Sequence, residues 1–189
     1  MKPYEDVPDS GNMRVLRNVY SIEGIGTQNV ILRGGITEEF WQKVIDTTND
    51  YRVCAIGTPG IGKTSSTSVL IRLLLEQKRT VVYHIRTIKE NGFVYVFTPS
   101  DDSSNKVDVQ VIREKGFDVM SAKFNKPSIY YVVDPGKTKD SCDPPTAYEG
   151  NVVIVSSIDD RHWGESEFEK KRPGKCGMLL FSPVGNCVI

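Results

Sequence analysis

Short apolar runs recur along the chain and predict most of its regular structure. Five of them lack polar alternation: residues 51–56, 81–85, 129–133, 152–155 and 178–181. Strands that are covered on both faces of a parallel sheet read as continuous apolar runs of this kind. The sequence therefore predicts an α/β domain of three layers, in which a mostly parallel five-stranded sheet lies between helices.

Two segments have the apolar spacing of helices. Residues 65–77 follow the first run, and their apolar positions are spread around most of a helical surface. A second helix is predicted to begin at Thr37, which offers an N-cap hydroxyl, with Glu38 and Glu39 in the first turn. Its apolar side chains recur at helical spacing: Phe40, Trp41, Val44 and Ile45.

The segment between the second and third runs predicts an antiparallel hairpin over about residues 92–113. Residues 92–97 are mostly apolar, residues 107–112 alternate apolar with polar, and a polar turn separates them. We expect this hairpin to be inserted into the main sheet or added to its edge. Residues 1–28 are predicted to be an irregular segment with one short strand near 13–20, and residues 29–189 to form the core domain, which opens on a short strand at 29–32.

Composition narrows the class of protein without identifying it. The chain has 189 residues, 39% of them hydrophobic, and its 24 basic residues balance its 24 acidic ones. This balance gives no direct signal of nucleic-acid binding, and the apolar runs are far shorter than the ~20 residues of a membrane helix. Four widely spaced cysteines and two histidines make a zinc site improbable. We expect a soluble, intracellular protein without a visible secretory signal.

A complete phosphate-loop motif, G-x-x-x-x-G-K-[ST], lies between the first strand and the helix that follows. In such a loop the backbone N–H groups and the helix N-terminus surround an anion, the lysine reaches the β and γ phosphates, and the hydroxyl ligates Mg²⁺. The motif predicts a nucleoside triphosphate site, with Lys63 also in a catalytic role. The predicted nucleotide-binding residues are Gly57, Thr58, Pro59, Gly60, Ile61, Gly62, Lys63, Thr64 and Ser65.

Asp134 ends the third apolar run and is predicted to be a catalytic residue and the second ligand of Mg²⁺, together with Thr64. An aspartate at the end of a neighbouring strand completes the metal site in many nucleotide-hydrolysing proteins. The next residue is Pro135, where many ATPases have a glutamate that aligns the attacking water. Asp140 or Asp143 could serve instead, so hydrolysis is predicted less firmly than binding.

Polar residues after the fourth run are further candidates. Ser156 or Ser157 could contact the γ-phosphate or the attacking water, with Ser157 the predicted catalytic residue, or both could simply end the strand. Arg161 is a candidate phosphate sensor, or an exposed loop residue. The basic run 170–175 resembles a polyanion-binding patch, but three glutamates precede it and favour a solvated loop.

The sequence gives no positive evidence on the base of the nucleotide. GTPases read guanine with an Asn/Thr-Lys-x-Asp stretch, and residues 138–140 are one residue too short for it. ATP is therefore the predicted nucleotide by default.

Several of these stretches together resemble the ATPase region of Crinkler effectors and trypanosomatid retrotransposon hot spot proteins. The similarity covers about residues 29–184 and rests on Arg33–Trp41, Ile56–Lys63, Tyr131–Asp134 and Val153–Ser157. It implies an AAA+/STAND-like P-loop NTPase with sheet order 5-1-4-3-2, and delivery into a host cell with action at the nucleus. In that family the ATPase region has a helical lid and is often joined to a nuclease-like domain. No delivery leader of the Crinkler type is visible here, and we expect the lid and the nuclease-like domain to be absent, because the chain stops after the fifth strand.

Three functions remain open from the sequence. The first is Mg²⁺-dependent ATP binding with possible slow hydrolysis. The second is a non-hydrolysing nucleotide switch or interaction module, read by an unknown protein partner, which Pro135 favours. The third is an inactive truncated gene copy.

Overall fold

The computed structural model describes residues 5–6, 13–20, 27–58, 62–85, 92–100, 106–113, 116–117, 121–134, 148–157, 176–180 and 187–188. These residues contain two helices, α1 (Gly34–Thr47) and α2 (Lys63–Glu76). The strands are β1 (Glu5–Asp6), β2 (Met13–Tyr20), β3 (Thr27–Arg33), β4 (Arg52–Gly57), β5 (Thr80–Ile85), β6 (Phe93–Pro99), β7 (Val107–Arg113), β8 (Ile129–Asp134), β9 (Asn151–Ser157), β10 (Cys176–Leu180) and β11 (Cys187–Val188).

The main sheet is mixed, so the predicted five-stranded, mostly parallel P-loop sheet is wrong. The six strands between residues 52 and 157 are ordered β4-β9-β8-β5-β6-β7, and β10 and β11 extend the sheet to eight beyond β4. β4, β9, β8 and β5 are parallel neighbours, and β10 pairs parallel with β4. β6, β7 and β11 pair antiparallel. The hairpin is therefore part of the sheet itself, because β6 continues the hydrogen-bond ladder of β5.

The predicted three-layer arrangement also differs from what the described residues show. Both α1 and α2 pack on one face of the sheet, where Trp41, Leu70 and Leu74 are fully buried against alternate strand residues such as Val132 and Val153. On the other face, Phe124 and Tyr148 from irregular segments cover the strands. Within the described part of the chain, no helix lies on that second face.

Helix α1 begins three residues earlier than predicted. It follows β3 directly from Gly34, so Thr37 is a buried residue inside the helix and not its N-cap, and no acidic residue lies in the first turn. The helix buries the face that the spacing indicates, with Phe40 and Trp41 in edge-to-face contact at 5.0 Å between ring centroids. A salt bridge between Glu38 and Arg72 joins α1 to α2.

The N-terminal segment was predicted to be irregular apart from one short strand near 13–20; β2 (Met13–Tyr20) confirms that strand, and β1 is a further one. β1, β2 and β3 form a separate antiparallel sheet in the order β1-β2-β3, and the β2–β3 register shifts between Leu16 and Val19. Of the helices in the described residues, none has the length and apolar character needed to cross a membrane.

Candidate functional site

The predicted site residues that the structure describes lie where β4 and β8 end and α2 begins. Gly57 is the last residue of β4, Asp134 is the last residue of β8, and Lys63 is the first residue of α2. β9 lies between β4 and β8, and all three strands are parallel. Their carboxyl ends therefore meet at one edge of the sheet, where open α/β sheets commonly bind ligands.

Thr64 and Asp134 are in direct contact although 70 residues separate them in the chain. The Thr64 hydroxyl donates a hydrogen bond to the Asp134 carboxylate, with 2.8 Å between Oγ1 and Oδ2. Asp134 is buried, whereas Thr64 is exposed at the start of α2. The two predicted metal ligands thus form a pair of oxygen atoms at the edge of the sheet.

The spacing of these two oxygens can be tested against the geometry of Mg²⁺. This ion takes octahedral oxygen ligands at about 2.0–2.1 Å, so two adjacent ligands lie about 2.9 Å apart. The Oγ1–Oδ2 distance of 2.8 Å is that of an ordinary O–H···O hydrogen bond and is also close to that separation. Among the described residues, no group of three or more His, Cys, Asp or Glu side chains could hold a metal.

The Lys63 side chain turns back over the loop that precedes it. Its Nζ donates to the carbonyl oxygens of Gly57 at 2.6 Å and Thr58 at 2.9 Å. Burial lowers the pKa of Lys63 below its ordinary value, and the negative charge of Asp134 opposes that shift. A partly buried ammonium group therefore lies at the start of α2 and interacts electrostatically with the Asp134 carboxylate.

The N-terminus of α2 has no side-chain cap. Its N-cap residue is Gly62, with φ of 91° in the left-handed region that glycine adopts without strain, and no acidic side chain lies in the first turn. The first N–H groups of a helix have no partner within the helix. The Ser66 and Thr67 hydroxyls both bond to the Lys63 carbonyl, so they do not cap the N–H groups. The positive end of α2 is thus directed at the loop, and the Asp134 carboxylate, which accepts the Thr64 hydrogen bond, lies beside it.

The structure describes six of the nine predicted loop residues. Pro59, Gly60 and Ile61 lie outside the described residues, while Thr58 and Ser65 are exposed on either side of them. The candidates Pro135, Asp140, Asp143, Arg161 and the basic run 170–175 also lie outside the described residues.

The two serines at the end of β9 are separated by the alternation of the strand. Ser156 pairs with Ile56 and follows Ile154 on the face opposite the helices, where its hydroxyl is buried with no hydrogen-bond partner in the described structure. Asp134 follows Val132 on the helix face, so Ser156 and Asp134 face opposite sides. Ser157 pairs with Gly57 at the carboxyl edge, and its side chain is outside the described part.

A buried polar pair next to this edge was not singled out from the sequence. The His84 Nδ1 and the Tyr131 hydroxyl lie 2.6 Å apart in a hydrogen bond that joins β5 to β8. Their positions on neighbouring strands give no sequence signal, because two residues 47 apart meet only through the strand register. The pair lies on the face away from the helices and stabilises the strand that ends in Asp134.

A polar cavity of about 410 Å³ lies at the opposite edge of the sheet. It is lined at the amino ends of β4, β8 and β9 by Arg52, Tyr130 and Asn151, and also by Thr48 and Arg79. Arg52 is buried and donates to the Tyr148 carbonyl at 3.0 Å. The length of β4 separates this cavity from Gly57, so it is not part of the candidate site.

Comparison with known proteins adds no assignment, since no family model matches the chain and a search of curated proteins finds no significant match.

Proposed function

We propose that the chain binds a nucleoside triphosphate as its Mg²⁺ complex at the carboxyl ends of β4 and β8. The observation that carries this proposal is the contact between Thr64 and Asp134, with 2.8 Å between their oxygens. If residues 57–64 were only a glycine-rich turn between a strand and a helix, no carboxylate would be required beside Thr64, yet Asp134, 70 residues later in the chain, lies there. A metal-dependent phosphate site needs both groups together.

Lys63 is the principal cation for the phosphates. Without ligand, its ammonium group uses two of its three donors on the Gly57 and Thr58 carbonyls. Phosphate oxygens would take the place of these carbonyls, and the N–H groups at the start of α2 would add further donors. The negative charge of the phosphates would also offset the cost of burying the ammonium group.

The metal would be held by the Thr64 hydroxyl and the Asp134 carboxylate. When bound, Mg²⁺ neutralises charge on the β and γ phosphates and orients them. The protein oxygens supply two ligand positions, and the phosphates and water supply the rest. Metal binding requires Thr64 to give up its hydrogen bond to Asp134, so the metal and that hydrogen bond exclude each other.

ATP is the proposed nucleotide, because the chain has no guanine-reading stretch of the usual length. The proposed activity is binding with slow hydrolysis. Pro135, which follows Asp134 directly, instead favours a switch that binds ATP without hydrolysing it, because proline offers no side-chain base to align water. The resemblance to Crinkler-type ATPase regions stays a prediction, as do a protein partner and a nuclear site of action.

Binding and turnover are separated by one set of measurements. We expect isothermal titration with Mg·ATP to give saturable binding for the wild-type chain, and weaker binding by at least about tenfold for Lys63→Ala, since hydrogen bonds to charged groups contribute about 1.5–3 kcal/mol. Asp134→Asn and Thr64→Val should lose the Mg²⁺ dependence of binding. GTP titrated in parallel tests the choice of base.

Lys43→Ala is the matched control, because Lys43 is exposed on α1 and has no predicted role. It should bind Mg·ATP as the wild type does. Phosphate release that depends on Lys63 would establish the ATPase, and binding without release would establish the switch. Equal affinity of Lys63→Ala and the wild type, or no binding by either, would contradict the proposed function.

A further inference from the structure

Exposed apolar side chains are concentrated on the β6–β7 hairpin. Among the described residues, four of the five exposed large hydrophobic side chains belong to it: Phe93, Val107, Val109 and Val111, with Tyr51 the fifth. Val109 and Val111 are 54% and 55% exposed. Apolar residues that alternate with polar ones along a strand, as these do, usually lie on a covered face. Single exposed apolar residues are ordinary, whereas a contiguous patch commonly marks an interaction site.

These residues form one continuous strip. Val107, Val109 and Val111, called the valine stripe below, lie opposite Pro99, Phe97 and Tyr95 in the register of the hairpin. On β6 the rings of Phe93, Tyr95 and Phe97 follow one another at 6.4 Å between centroids. Tyr95 and Phe97 pack against the core beneath α1 and α2, so the strip continues from the core to the outer edge of the sheet.

Among the described strands, β7 is the last of the main sheet, and the backbone groups on its outer side belong to the valine stripe. The Ser100 N–H donates to the Lys106 carbonyl at 3.0 Å, and bonded and non-bonded pairs alternate along an antiparallel ladder. Residues 106, 108, 110 and 112 are therefore bonded to β6, and Pro99, which has no N–H, falls at a non-bonded pair. The N–H and C=O groups of Val107, Val109 and Val111 consequently point away from β6.

The sequence of β7 is complementary to itself when two copies run antiparallel about a two-fold axis at Val109. That register places Val109 opposite Val109 and Val107 opposite Val111, so each outward N–H meets an outward carbonyl. On the other face Asp108 lies opposite Gln110, and no like charges meet. Two neighbouring registers are less favourable. An axis at Asp108 would place the two Asp108 carboxylates opposite each other, and an axis at Gln110 would place Val107 opposite Arg113.

We propose that the outer edge of β7, which no described strand pairs with, is a homodimer interface, in which two copies of the chain join their sheets through the valine stripe. An unpaired edge strand is a ready template for another strand, and a two-fold axis closes the assembly at two copies. Each valine gains a valine neighbour across the axis, at a Cβ separation of about 5 Å. The self-complementary register selects a second copy over an unrelated strand. The interface is independent of the nucleotide site.

Sedimentation velocity over a concentration series tests the dimer. We expect wild-type chain to shift from monomer to dimer as concentration rises, and Val109→Lys to remain a monomer, because it places two ammonium groups face to face on the axis. Tyr51→Lys is the matched control, since Tyr51 is also exposed, at 43%, but lies just before β4 and away from β7. It should dimerise as the wild type does.

Val109→Pro distinguishes edge pairing from contact between the apolar faces. Proline removes an N–H that points away from β6, so the hairpin should keep its ladder while the edge loses its central donor. Far-UV circular dichroism checks that both Val109 variants remain folded. We expect Val109→Pro to lose the dimer. A dimer that persists in Val109→Pro, or a wild-type chain that stays monomeric throughout, overturns the proposal, as does a dimer that Val109→Lys leaves unchanged.

Discussion

Lys63 has a partly buried ammonium group at the start of a helix, and its charge should therefore depend on pH in an accessible range. Burial lowers the pKa of its ammonium group in the free protein. A bound phosphate would favour the charged form and raise that pKa again. Lys63 should therefore lose its proton more readily in the free protein than in the proposed complex.

The affinity for Mg·ATP should fall as the pH rises through the lowered pKa of Lys63. The sign follows from linkage: the complex holds the Lys63 proton more tightly than the free protein, so binding takes up protons in the alkaline range and deprotonation opposes it. Titration calorimetry in buffers of different ionisation enthalpy measures this uptake. Lys63→Met should show neither the proton uptake nor the alkaline loss of affinity, and Lys43→Met should keep both.

At the scale of elements, the entry into β9 depends on a glycine. A Cβ added to Gly150 would lie 2.6 Å from the Ile129 carbonyl oxygen and 2.7 Å from the Lys126 carbonyl oxygen. Both neighbours are backbone atoms, one just before β8 and one in its first residue, and they cannot rotate away. The close approach lets Tyr148 reach its buried position, where its hydroxyl donates to the Phe124 carbonyl at 2.8 Å.

Gly150→Ala should lower the free energy of unfolding by about 1–3 kcal/mol, the usual cost of overpacking a closely fitted site. Gly116→Ala is the matched control, because its Cβ would meet only the Ile112 Cγ2 atom at 3.9 Å, an ordinary contact. Urea unfolding followed by circular dichroism compares the two. A loss of stability in Gly116→Ala equal to that in Gly150→Ala would show that the close contacts at Gly150 are not the cause.

The elements themselves were largely predictable, because each rests on a local pattern. The buried runs at 81–85 and 129–133 match β5 (Thr80–Ile85) and β8 (Ile129–Asp134) closely. The start of α1 was not predictable from Thr37, because β3 leads into the helix without a turn and the capping pattern lies inside it. Nor does the alternation along β7 show that the hairpin continues the sheet, since a half-exposed strand looks the same in either place.

The contacts within the candidate site likewise depend on strand pairing, which the sequence does not show. Sequence spacing could suggest Thr64 and Asp134 as partners, and their contact depends on the register that brings β4, β9 and β8 side by side. The prediction favours Ser157 over Ser156 without knowledge of the face that each residue of β9 occupies, because the apolar run 152–155 has no alternation to show it. The His84–Tyr131 bond likewise exists only through the β5–β8 register.

For the whole molecule, ligand binding and folding should be linked. The proposed site joins residues from β4, α2 and β8, which are brought together only in the folded chain. A ligand that binds only the folded state stabilises it by about 2.7 kcal/mol at one hundred times its dissociation constant. In a chain of this size, about 2–4 °C of melting temperature corresponds to each kcal/mol.

Mg·ATP at that concentration should therefore raise the melting temperature of the wild-type chain by roughly 5–10 °C. Chelation of Mg²⁺ should remove most of the shift, and Asp134→Asn should show little difference with or without the metal, because its amide is a poor magnesium ligand. Differential scanning fluorimetry at one fixed protein concentration measures the shift, since a dimer through β7 would itself make the melting temperature depend on concentration. Val109→Lys, which alters only the β7 edge, should keep the full ligand shift. A shift lost in Val109→Lys but retained in Asp134→Asn would mean that the ligand acts through the dimer and not through the pair of oxygens at Thr64 and Asp134.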